Sequence, residues 1–144
     1  MKTIMEKLRS TTNKMNNVVL LLIRLVLAYG FYTPAKMKIK DVSAIAGWFD
    51  SMGYPAPHLS AYLATISEVL GVVLLTLGLV TRLISIPLII VMLVAIFTVH
   101  IGNGFEAGNN GFEIPLYYFM LLLVLLVNGS GKFSIDYFIR KRNE

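Results

Sequence analysis

Residues Ser60–Val80 read SAYLATISEVLGVVLLTLGLV, twenty-one positions in which Glu68 is the one charged side chain. As a helix this run spans a bilayer core of about 30 Å. Glu68 stands eight residues in, roughly 12 Å below one membrane surface at helical rise. A charge near mid-membrane costs about 2.5–3.5 kcal/mol on insertion scales, so it faces a bundle interior and has either a partner or a task.

Three further apolar runs flank this one: Asn17–Ala35, Leu83–Ile101 and Glu113–Val127, the last relying on its flanking residues to reach across. With 56% hydrophobic and 15% charged residues and a mean hydropathy of +0.71, the chain has more apolar surface than one small soluble core can hide. The expected fold is therefore all-α: an integral membrane four-helix bundle in one domain over residues 1–144, with a short interfacial amphipathic helix between spans 1 and 2. The spans lie at about 17–35, 60–80, 83–101 and 113–127, and residues 1–16 and 128–144 form basic tails. The first run is not read as a cleavable signal peptide: it is long, contains Arg24 and precedes no small-residue cleavage site.

Lysine and arginine set the expected orientation. Nine lie on one side, in the N-terminal tail, at Arg82 in the turn after the second span, and in the C-terminal tail; Lys36, Lys38 and Lys40 lie on the other. The positive-inside rule then puts both termini in the cytoplasm of a bacterial inner membrane protein. A net charge of +5 is explained by basic tails beside anionic headgroups, so no nucleic-acid partner is implied. The absence of cysteine removes thiol redox, iron–sulfur and thiolate metal chemistry from what this chain does alone.

Two external segments differ in kind. In 36–59, Val42, Ile45, Ala46, Trp48, Phe49 and Met52 make one apolar face of a helix starting near Asp41, which should lie flat on the membrane and cover or gate the bundle mouth. The other, HIGNGFEAGNNGFE over His100–Glu113, holds four glycines, three asparagines, two glutamates and a histidine, part of which is ordinary turn chemistry.

Side-chain direction brings some of these residues together. Cβ atoms tilt toward a helix N-terminus, so Glu68 leans toward the outer face while His100, ending an outward-running helix, leans down into the membrane. Tyr29 falls near the depth of Glu68, and Tyr117 is one turn below Glu113 on the same face. An outward-facing polar pocket is expected, lined by Tyr29, Glu68, His100, Glu113 and Tyr117, with Asn103, Asn109 and Asn110 at its rim. Glu68 and His100 are its candidate catalytic residues. Arg24 is the obvious countercharge to Glu68, but it leans toward the cytoplasmic side, so snorkelling competes with pairing. No His or carboxylate pair has metal-ligand spacing, so no metal site is assigned. The bland alternative is that Glu68 is interhelical glue and His100 a hydrogen-bonded end residue.

The order of Arg24 and Gly30, Met52-Gly53 with Pro55, Glu68 with Gly71, Gly78-Leu79-Val80-Thr81-Arg82, His100 and Ser134-Ile135-Asp136 resembles the DoxX family of small four-helix membrane proteins over about 18–138. The resemblance implies membrane redox chemistry, since family members include the small subunit of a thiosulfate:quinone oxidoreductase. It singles out Arg24, Glu68, Arg82 and His100 as characteristic positions. His100–Tyr118 is also similar to a DoxX-like subgroup associated with maturation of copper-binding peptides.

Three readings follow. In the first, the chain is a non-autonomous subunit of a quinone-linked oxidoreductase complex whose pocket binds a quinone headgroup or relays protons. In the second it is an accessory factor for maturation or export of a copper-binding peptide, and in the third an assembly subunit with no ligand. Lipid, a hetero-complex partner and a second copy are the partners these readings imply.

Overall fold

A computed structural model describes residues 2–143. Six α-helices account for most of them: α1 (Lys2–Lys40), α2 (Val42–Ser51), α3 (Pro57–Leu77), α4 (Thr81–Ala95), α5 (Glu113–Asn128) and α6 (Ile135–Arg142). The four apolar ones close a ring, α1 on α3, α3 on α4, α4 on α5 and α5 back on α1. Leu27, Phe31, Leu75, Leu88, Leu122 and Leu125 fill its centre. The outward faces are apolar as well: Leu22, Val26, Leu63, Ile66, Leu70 and Val73 are exposed. Such a surface calls for lipid rather than water. Three helical stretches are long and apolar enough to cross a membrane, α1, α3, and α4 with its continuation to Asn103; α5 is apolar but shorter.

α1 corrects the expected boundaries. The first span was expected to end at Ala35 and release Lys36–Lys40 into a loop, but the helix continues to Lys40 with Pro34 inside it. Proline removes one backbone hydrogen bond, and packing along α3 holds the helix on both sides of that gap. Residues 2–16, read as a tail, belong to the same 39-residue helix, which is about 58 Å long and outlasts any bilayer core. The C-terminal tail likewise contains α6. α2 starts where expected, with the Asp41 carboxylate accepting from the Ala44 amide at 2.9 Å. Rather than lying free on a surface, it packs against α3, burying Ala46 and Phe49 beside Ala61.

The end of the bundle that carries the termini is tied by side chains bonded to backbone. α3 ends at Gly78 in the left-handed conformation, φ 66°, and the Gly78 and Leu79 amides fold back onto the Leu75 and Leu74 carbonyls at 3.3 and 3.0 Å. Fully buried Arg24 donates to the Leu75 carbonyl at 3.0 Å, to that of Thr76 at 3.4 Å and to that of Phe133. Asp136 caps the next helix, accepting from the Val80 and Thr81 amides at 2.7 and 3.1 Å, while its own amide donates to the Gly78 carbonyl at 3.0 Å. Arg82 donates to the Val127 carbonyl at the end of α5, at 3.0 Å. Helix ends have orphan donors and acceptors, and here charged side chains satisfy some of them, Arg24 from the buried core, Asp136 half-buried and Arg82 from the surface.

Candidate ligand cavity

At the opposite end the bundle encloses a cavity of about 850 Å³. Its floor is Glu68, its walls include Phe31, Pro34, Ala64, Val91 and Tyr118, and toward the loops it meets Trp48, Tyr54, Thr98 and His100. A mostly apolar enclosure of this size with a few polar groups is the usual form of a small-molecule site.

Glu68 is held by Lys38. The ammonium lies 2.5 Å from Oε1, the one ion pair among the described residues, with the side chains 16% and 3% exposed. Lys38 reaches Glu68 because α1 stays helical past Pro34; as a loop residue it would point nowhere in particular. Glu68 Oε2 is buried with no hydrogen-bond partner among the described residues. Arg24 is therefore not the countercharge of Glu68. It lies among the carbonyls at the other end of the bundle and lines no part of the cavity.

His100 belongs to a five-residue π-helical turn, Ile96–His100, that extends α4. Such turns reset helix phase and occur often at functional sites. The His100 Nδ1 lies 2.8 Å from the Asn110 carbonyl oxygen. A carbonyl only accepts, so Nδ1 carries the proton, and in the neutral ring Nε2 is left as an acceptor without a protein partner among the described residues.

Other expected pocket residues organise the loop instead. Asn103 donates to the same Asn110 carbonyl at 3.1 Å, and Asn109 donates to the Glu106 carboxylate at 3.3 Å. Glu113 accepts from the Ala107 amide at 3.0 Å and from the Tyr117 hydroxyl at 3.1 Å. None of these four lines the cavity. Tyr29 is 83% exposed on the outer face of α1, away from Glu68: depth placed it correctly and rotation about the helix did not.

The lining that the sequence reading missed is Lys38, Trp48, Tyr54 and Tyr118. Tyr54 and Thr98 join hydroxyls across the mouth; since Thr98 donates to the Val94 carbonyl at 2.6 Å, Tyr54 is the donor to Thr98. Tyr54 also stacks on Phe49, centroids 4.6 Å apart. Gly30 permits Tyr118 to cross α1: a Cβ there would overlap the phenol ring. Among the described residues no group of three or more His, Cys, Asp or Glu side chains is placed to hold a metal ion.

Comparison with known proteins gives this geometry a lineage. An "Uncharacterized protein" of Haemophilus influenzae is 32% identical over 130 residues, 88% of this chain and 86% of the relative. A second from the same organism is 31% identical, over 79% of this chain and 85% of its own length. A Bacillus subtilis protein named "Putative oxidoreductase CatD" is 29% identical over 90% of this chain and 92% of its own. No solved structure matches. The DoxX family model matches residues 19–101, which hold Arg24, Lys38, Glu68, Arg82 and His100 alike, and the chain belongs to the DoxX family of membrane proteins.

Proposed function

We propose that this chain is the membrane subunit of an oxidoreductase complex and that its cavity receives the headgroup of a quinone-type ligand. The observation that carries the reading is the cavity itself, about 850 Å³, apolar in most of its wall, with a buried ion pair at its floor and an imidazole near its mouth. Quinone rings need that combination: flat apolar contact, and polar groups for their oxygens. The name of the Bacillus subtilis relative agrees with a redox setting. In this reading α5 completes a four-helix crossing with help from its flanks, both termini are cytoplasmic by the charge asymmetry, and the cavity opens toward the outer face. Glu68, through its pair with Lys38, and His100 act there as proton-handling groups, Arg24 fixes the cytoplasmic end, and a partner enzyme supplies the electron chemistry.

Quinone content tests this directly. Protein purified in native nanodiscs should hold quinone at a molar ratio well above that of the surrounding lipid, near one per chain. A ratio equal to that of bulk lipid contradicts the reading.

A further inference from the structure

Glu68 draws attention in the sequence, yet the charged donor at the cavity wall belongs to its partner. Glu68 is 2% exposed, its Oε1 is engaged by Lys38, and its Oε2 is shut away from solvent. Lys38 Nζ carries three donors, one of which goes to Glu68, and its side chain is 16% exposed at the cavity wall. Four lining hydroxyls have committed their protons, Ser60 to the Pro55 carbonyl, Ser67 to that of Leu63, Thr98 to that of Val94 and Tyr54 to Thr98; the Tyr118 hydroxyl and the Trp48 indole N–H remain as neutral donors at the wall, and Lys38 is the charged one. Among the described residues Lys38 is the one Lys or Arg in the lining.

We propose that Lys38 is the ligand-contacting residue of the cavity, donating to a carbonyl oxygen of a neutral ligand, and that Glu68 is a positioning residue that holds the ammonium in place and cancels its charge. The inference rests on the quinone reading above and deepens it. An ammonium alone in an apolar cavity would attract anions; paired at 2.5 Å it presents donors with no net charge, which selects uncharged acceptors. Glu68 supplies the selectivity without touching the ligand.

Trp48 is the chain's single tryptophan and lines the cavity, so its fluorescence reports a quinone, which quenches indole on contact. The experiment titrates purified protein with a short-tailed benzoquinone and repeats the titration with benzoate as competitor. Wild type should show saturable quenching that benzoate does not relieve. Lys38→Met should bind about tenfold or more weakly, the loss expected for a hydrogen bond to a charged donor, and Lys38→Arg should stay within about threefold of wild type. Should Lys38→Met fold poorly, Lys38→Met/Glu68→Met removes both charges together and should show the same loss of binding. Glu68→Gln should keep quinone binding within about tenfold and newly permit benzoate to compete. Saturable binding that is indifferent to Lys38→Met and to the double variant overturns the Lys38 assignment while leaving the quinone site standing; unchanged benzoate exclusion in Glu68→Gln overturns the positioning role. No saturable quenching in wild type overturns the quinone reading itself.

Discussion

Arg24 and Glu68 are the two buried charges that a hydropathy profile exposes, and they do different work. Arg24 is fully buried and donates to three carbonyls from two segments of chain, so its cost of burial is offset by helix-end acceptors rather than by a carboxylate within ion-pair distance. Arg24→Met should lower unfolding stability by about 3 kcal/mol, because it removes three charge-assisted hydrogen bonds, one of them to the buried Leu75 carbonyl, and Arg24→Lys should recover only part of that, since one ammonium does not reproduce the guanidinium fork. Denaturant unfolding in mild detergent measures both. A loss under about 1 kcal/mol for Arg24→Met would mean that the knot at the termini end contributes little. Glu68 and Lys38, by contrast, form a pair whose joint replacement by apolar side chains need not destabilise the bundle, and its place at the cavity wall fits a ligand better than packing.

At the scale of elements, the cavity lies at the end of the bundle opposite the α3–α4 hairpin. The α3–α4 hairpin is closed by Gly78, by Asp136 on the Val80 and Thr81 amides, and by Arg24 on the Leu75 carbonyl. Toward the loops, α2 lies against α3, and α4 relaxes into its π turn. Tyr118 bridges α5 to α1 over Gly30, meeting Phe31 edge-on at 5.5 Å. Gly30→Ala should therefore displace the Tyr118 ring, lowering stability by about 1–3 kcal/mol through overpacking and weakening ligand binding together with it; unchanged thermal stability and binding would show that the ring has free space. The apolar helices were legible in the sequence, while the helical start of α1 and all of α6 were read as tails. Apolar runs of nineteen to twenty-one residues fix α3, most of α4 and the middle of α1, and Asp41 announces α2 through its cap. Where α1 ends was not legible: Pro34 followed by three lysines within Lys36–Lys40 has the composition of an exit from the membrane, and only packing along α3 carries the helix onward. That single boundary concealed Lys38.

Seen whole, the molecule has two polar ends and an apolar girdle. One end is a knot of caps that uses Arg24, Arg82 and Asp136; the other is a cavity with the Lys38–Glu68 pair in its lining and, among the described residues, no protein partner for His100 Nε2. The sequence showed which residues were unusual but could not sort them between the ends, because the partners of Arg24 are backbone carbonyls, which leave no trace in residue identity. Depth along a helix could be counted from the sequence; rotation about it could not, and so Tyr29 was assigned to the pocket while Tyr118 was passed over. The same limit applies to Glu113 and Tyr117, whose mutual hydrogen bond satisfies groups that composition alone leaves free. The central claim is that the cavity between α1, α3, α4 and α5 holds a quinone-type headgroup. Photo-crosslinking with an azido-quinone in membranes, followed by peptide mapping, tests it most directly. The account predicts adducts concentrated on the cavity-lining segments 60–68 and 90–100, suppressed by excess unlabelled quinone; adducts spread over the lipid-facing positions Tyr29, Leu70 and Val73, with no suppression by excess quinone, would contradict it.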